Sequence, residues 1–158
     1  MLFVKSVGAL ALFVCGVLTS VMLCGFEKKR CRQANAFLLL IRHIRVQIEC
    51  FNTPVERILQ MLDPRVRIEL CAPPEAKDMP ELLERTPLFL PRELCLALRE
   101  FSAALGTGYR EDEIRFCEHS AARIEPLVLR LNEELEKRVK LAVLLPLSLA
   151  CVLILLLW

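Results

Sequence analysis

Catalytic and metal-binding side chains are scarce in this chain. Histidine occurs only as His43 and His119. His119 stands two residues from Cys117, and helical positions i and i+2 do not face each other, so no local Cys/His dyad forms. A dyad such as Cys95 with His119 would have to be assembled between helices. The eight cysteines include no C-x-x-C pair. Cys15, Cys24 and Cys151 lie in apolar stretches, and Cys31, Cys50, Cys71, Cys95 and Cys117 are scattered. That distribution suits small apolar residues, not a zinc site or a disulfide framework. No G-x-x-x-x-G-K-[ST] run appears, so nothing marks a nucleotide-driven motor. Between residues 27 and 140 the only glycines are Gly106 and Gly108, and no Asn-Gly pair signals a hairpin. Gly106-Thr107-Gly108 reads as a helix-ending loop, not a phosphate cradle. No enzymatic activity and no cofactor are expected.

Charge is missing from two long stretches. Ser6 to Phe26 and Leu141 to Trp158 contain no charged residue. These 21 and 18 residues would extend as helices over roughly 32 and 27 Å, against a hydrocarbon core of about 30 Å. The expected organisation is a first transmembrane helix within 1–26, a helical domain over 27–140 and a second transmembrane helix over 141–158. A cleaved signal peptide is the competing reading of the first stretch. It would have Lys5 alone as its basic region, an apolar run longer than usual and no clean small-residue cleavage site. For the second stretch the competitor is a buried core helix, which would need a polar face that these residues lack. The spans hold no ionisable residue of the kind that marks an ion path, so they read as anchors, not as a channel.

Lys28, Lys29, Arg30 and Arg32 follow the first stretch, and Lys137, Arg138 and Lys140 precede the second, with only Lys5 on the far flanks. Basic flanks stay cytoplasmic, so residues 27–140 are expected inside and both termini outside. Trp158 suits an interfacial anchor. The middle carries 20 Lys and Arg against 19 Asp and Glu. No basic excess is left to hold nucleic acid, and the flanking clusters read as topology signals or lipid-headgroup contacts.

The middle reads as helices punctuated by proline. Phe37, Ile41, Ile44, Ile48 and Phe51 step by 4, 3, 4 and 3, a seam on a helix leaving the first span. Asn52-Thr53-Pro54 stops it, and Thr53-Pro54-Val55-Glu56 predicts a capping box for a helix carrying Ile58, Leu59 and Leu62. Asp63-Pro64 repeats the device, and the alternating Val66, Ile68 and Leu70 are assigned to helix for want of a partner strand. Pro73-Pro74 opens a loop. Asp78, Pro80 and Glu81 start a helix with Leu82 and Leu83. Pro91 starts another with Leu94, Leu98, Phe101 and Leu105, closed by Gly106 in the left-handed region. Ile114, Cys117, Ala121, Ile124, Val128, Leu131 and Leu135 mark the longest helix, which runs into the second span and is expected to kink at Pro126. The fold class is all-α: an antiparallel helical bundle with N- and C-terminal transmembrane helices.

Arg110, Glu111, Asp112 and Glu113 crowd charge at the start of that last helix. Acids suit a helix N-terminus, but the cluster also reads as a partner-binding surface at the membrane-distal end of the bundle.

The order of these features, with Gln47-Ile48-Glu49-Cys50-Phe51-Asn52-Thr53-Pro54 and the Leu98, Phe101, Leu105-Gly106, Glu111, Asp112 stretch, resembles the stage III sporulation protein AB family of spore-forming bacteria. The resemblance covers nearly the whole chain. Glu113 stands where relatives often carry glutamine, and the last span lacks glycine. The resemblance implies a cytoplasmic domain similar to the inner-membrane platform protein of type II secretion systems and type IV pili. It implies a place on the mother-cell side of the outer forespore membrane, within a transenvelope complex. Its implied partners are a secretion-type ATPase (stage III sporulation protein AA) and other membrane components of that complex. Neither nucleic acid nor a small-molecule substrate is implied. The alternative from another class is a two-span signalling adaptor that docks a cytoplasmic protein. A third is a small-molecule enzyme with an inter-helix site.

Overall fold

Proline and its neighbours set most of the helix ends seen in the computed structural model. The structure describes residues 2–51, 53–73 and 76–157. Asn52, Pro74 and Trp158, expected in a turn, in a loop and at the membrane interface, lie outside the described residues. Six helices follow in order: α1 (Leu2–Phe51), α2 (Val55–Gln60), α3 (Pro64–Leu70), α4 (Met79–Arg85), α5 (Arg92–Ala104) and α6 (Arg110–Leu157). No strand occurs among the described residues.

The local devices behave unequally. Asp63 caps α3 by accepting from the Arg65 backbone N–H at 2.8 Å, with Pro64 opening the helix. Asp78 caps α4 by accepting from Glu81 N–H at 2.8 Å, while the Glu81 carboxylate accepts from Lys77 N–H at 2.9 Å. That reciprocal pair satisfies two donors that a helix start leaves free. The expected Thr53 capping box does not form. Pro54 occupies the cap position of α2, with no side-chain bond, and Thr53 instead donates its backbone N–H to Gln47 at 3.4 Å. A proline at the cap displaces the threonine by one residue, out of reach of the orphan N–H groups. Gly106 adopts φ +86°, the left-handed turn expected after α5. α6 passes through Pro126 without a break, and that residue is exposed, so water can reach the carbonyl left without its donor.

The chain divides into two compact units: residues up to Lys28 together with those from Asn132 onward, and Lys29–Leu131. The second boundary falls nine residues before the expected position at Lys140, so Leu135 and the basic flank of the last stretch belong to the first unit.

Within the Lys29–Leu131 unit, α1 and α6 run antiparallel. Arg45 pairs with Glu118 at 2.8 Å and Arg42 with Glu125 at 2.6 Å, one register rising as the other falls. All four side chains are about half exposed, so these pairs orient the helices more than they stabilise them. Stability comes from the core. Phe37, Ile41, Ile44 and Ile48 of α1 are buried, as are Cys117, Ile124, Val128 and Leu131 of α6. Each large apolar side chain hidden this way contributes roughly 1.5–3 kcal/mol. Phe51, the last expected member of the α1 seam, is 68 % exposed. It lies at the very end of the helix. Leu94, Leu98 and Phe101 of α5 complete the core, and Phe101 stacks on Phe116 with centroids 5.6 Å apart.

α1 is buried on more than its seam. Cys31, Gln33, Ala34, Ala36, Leu38 and Leu40 are hidden as well. Gln33 among them is fully buried. Its amide donates to the carbonyls of Leu70 and Pro87, both at 2.9 Å, and its carbonyl accepts from Phe89 N–H at 2.9 Å. One side chain thereby ties α1 to the end of α3 and to the α4–α5 connection.

The other unit holds the two apolar segments. α1 and α6 are both long and apolar enough to cross a membrane, and only 11 % and 6 % of their most apolar windows are buried. A core helix of a soluble protein would be mostly covered. Here Leu10, Leu18, Met22, Leu144, Leu149 and Leu155 stand exposed. The segments meet at small residues. A Cβ on Gly16 would come within 3.0 Å of the Ala150 Cβ. Ser20 donates to Gly16 O at 2.9 Å and to Val143 O at 3.4 Å. Small residues and hydroxyl bonds of this kind hold apolar helices together where no hydrophobic force can.

Candidate functional site: a cleft at the helix ends

Five helix ends meet around one cleft of about 420 Å³ in the Lys29–Leu131 unit. Ile48 lines it from the end of α1, Val55 and Glu56 from the start of α2, and Asp78 and Met79 from the start of α4. Leu105 and Gly106 follow α5, and Arg110 and Glu113 open α6. The turn at Gly106 is what brings α6 back across the end of α1.

Arg110 does the joining. Its Nε donates to Ile48 O at 3.2 Å and its guanidinium also bonds Glu49 O. The last carbonyls of α1 have no intrahelical partner and carry the negative end of the dipole, so a guanidinium is well placed there. Arg67 treats α2 the same way, bonding Leu59 O at 2.8 Å and Gln60 O at 3.1 Å. Of the four residues proposed from sequence, the structure brings Arg110 and Glu113 into the cleft. Glu111 and Asp112 are exposed and lie outside its lining, free of ion pairs among the described residues. Tyr109, beside them, is 86 % exposed. Glu56 and Asp78 were not anticipated as lining. Each starts a helix, and that local signal was visible, but their convergence is tertiary.

No family model matches this chain. No curated protein and no solved structure matches it either. What the site can do therefore rests on its own chemistry.

Among the described residues no three His, Cys, Asp or Glu side chains gather to hold a metal ion. His43 and His119 are both exposed. Cys95 donates to Leu90 O at 3.5 Å, and burial pushes its thiol up, with Arg99 and Arg30 pulling weakly down. Burial pushes the Cys117 thiol up to about 11, helped by the Glu113 carboxylate and opposed by Arg45. Both thiols are therefore protonated at neutral pH and poor nucleophiles. The cleft presents the carboxylates of Glu56, Asp78 and Glu113 and one guanidinium already engaged by α1.

The Cys117 assignment has a measurable consequence. Alkylation by iodoacetamide at pH 8 should label exposed Cys50 readily and spare Cys117 until the unit is unfolded, as peptide mass mapping would show. The folded thiol ionises later than the unfolded one, whose ordinary value is 9.0. Folding thus keeps this contribution below pH 9 and loses it as pH rises toward about 11. Equal labelling of both cysteines in the folded protein would refute the buried position.

Proposed function

We propose that this chain is a two-pass membrane protein whose helical unit lies in the cytoplasm. There it acts as the platform of a secretion-like transenvelope assembly in endospore formation. It docks a secretion-type ATPase, stage III sporulation protein AA, at the cleft end. The observation that carries the reading is the cleft. The two helices that bear the apolar stretches also frame it, and the acids beside it, Glu111 and Asp112, are exposed and in no ion pair among the described residues. Exposed charges add little to stability but steer association and set specificity. The resemblance of the sequence to the stage III sporulation protein AB family supplies the partner and the process. The basic flanks supply the sidedness.

Two experiments test the proposal. A reporter active only outside the cytoplasm should be silent when fused after Asp78 and active when fused after Trp158; the opposite pattern overturns the orientation. Reversing Glu111 and Asp112 to lysine should leave folding and insertion intact, weaken ATPase capture at least several-fold and lower spore yield. Capture should also weaken with added salt. Wild-type capture by the folded, inserted double variant would show that this face is not the dock.

A further inference from the structure

The unit formed by the two apolar segments contains a groove that the platform reading does not use. It has a volume of about 620 Å³ and follows one face of α1 from Val17 to Lys28, with Val143 and Leu147 of α6 as its opposite wall. From Val17 to Lys28 the helix rises roughly 16 Å at 1.5 Å per residue. The groove exists because Gly16 draws the two helices into contact beside it, while Gly25 leaves the floor open, with nothing within 4 Å of a Cβ built there.

Its polarity is that of an amphiphile. Along its length the walls present valine and leucine side chains and a bare glycine. The polar atoms of the walls are engaged already: Ser20 donates to Gly16 O and Val143 O, and Cys24 to Val139 O at 3.8 Å. The donors of Ser20 and Cys24 are thus already used within the pair of helices and are not free for a partner helix, which in a membrane often leans on such groups. At one end stands the Lys28 ammonium, exposed and in no ion pair among the described residues. Lys28 is also the first basic residue after the charge-free stretch, so in a bilayer it sits at headgroup depth.

We propose that the groove holds one acyl chain of an anionic phospholipid, with the lipid phosphate against Lys28 Nζ. The chain length of ordinary bilayer lipids suits the groove, and the charge at its mouth selects anionic over zwitterionic headgroups. Basic pockets between membrane helices are a recognised setting for such contacts. The proposal rests on the spanning part of the function proposed above and not on the ATPase.

The test uses the full chain, purified in mild detergent and titrated with dioleoyl phosphatidylglycerol or with dioleoyl phosphatidylcholine. Native mass spectrometry reads the lipid retained. One phosphatidylglycerol should be retained per chain, in at least fivefold preference to phosphatidylcholine. Lys28→Gln should abolish the preference. Gly25→Trp, which fills the floor, should abolish retention of both, with Leu147→Trp as the second variant from the opposite wall. A photoactivatable acyl chain on phosphatidylglycerol should label peptides containing Val17 to Lys28 and Val143 to Leu147, which keeps the proposal testable if the tryptophan variants misfold. Equal retention of the two lipids, or labelling spread evenly over the apolar segments, would overturn it. So would a dimer that Gly25→Trp dissociates, since a second copy would then occupy the groove. Resistance of the protein to alkaline extraction from membranes separates the two failures. A chain that is extracted loses the spanning reading, whereas a resistant chain that retains no lipid loses only the lipid site.

Discussion

Ile124→Asp should unfold the Lys29–Leu131 unit. Ile124 is 1 % exposed and sits mid-way along the buried stripe of α6, with Cys117 and Ser120 before it and Val128 and Leu131 after it. Arg45, the cation that acts on Cys117 in this stripe, is already paired with Glu118. The Arg42–Glu125 and Arg45–Glu118 pairs lie at its solvent edge and are already complete. A carboxylate there must either stay charged without a partner or take up a proton. An unpaired buried charge costs on the order of 3–5 kcal/mol, against a typical domain stability of roughly 5–15 kcal/mol. The lost isoleucine packing adds to this. In the full chain, limited proteolysis of the variant should cut throughout residues 29–131 under conditions that leave the wild type intact. The apolar segments should remain helical and inserted. Glu111→Ala, at an exposed position, should match the wild type. A folded, protease-resistant Ile124→Asp protein would remove the α1–α6 contact from the core.

Much of this architecture was legible because its signals are local. Asp63-Pro64 and Asp78 through Glu81 announce helix starts within four residues, and both caps form as read. The stripes from Phe37 to Ile48 and from Cys117 to Leu131 are periodic patterns that one helix carries whole. The misreadings occur where a local signal depends on a distant partner. Thr53 resembles a cap, but the backbone at Pro54 takes the position. Phe51 continues the seam by spacing, yet the packing partner runs out before it. Beyond Ile48, what covers the end of α1 is the guanidinium of Arg110, 62 residues away in sequence from its Ile48 acceptor. The same residue explains the partial legibility of the cleft. The charge cluster Arg110 to Glu113 was visible as a cluster, but one cation was not free for a partner. Its role in closing α1 depends on the turn at Gly106. Glu56 and Asp78 each signalled a helix start, and nothing in either local pattern says that these starts meet.

Gln33 is the strongest case of a residue whose importance no local pattern reveals, and its replacement should be the second most damaging change. In sequence it follows a basic cluster and reads as one more polar residue near a membrane. In the fold it is fully buried and meets the carbonyls of Leu70 and Pro87 and the N–H of Phe89, which are 37, 54 and 56 residues distant. These three backbone groups belong to segments with little helix to satisfy them. Leu70 ends α3, whose following residue Cys71 is already in the left-handed conformation at φ 59°, and Pro87 and Phe89 lie between α4 and α5. Gln33→Leu conserves volume but removes the bond that each of the three makes to Gln33. Each buried orphan costs about 1–3 kcal/mol, so, after allowing for water reaching the part-buried ones, the change should destabilise the unit by roughly 3–5 kcal/mol. Gln33→Glu should do nearly as much harm, because a carboxylate would face two carbonyl oxygens. Gln33→Ala should be milder than Gln33→Leu if water fills the space, since a bridging water replaces part of the lost bonding. Urea unfolding of the full chain in detergent, followed by proteolysis of residues 29–131, measures all three. The damage should appear first as cleavage between Leu70 and Leu90, the segment that Gln33 ties down, with the α1–α6 pairing lost only later. A Gln33→Leu protein as stable as the wild type would mean that α3 and the α4–α5 connection are held by their apolar contacts alone.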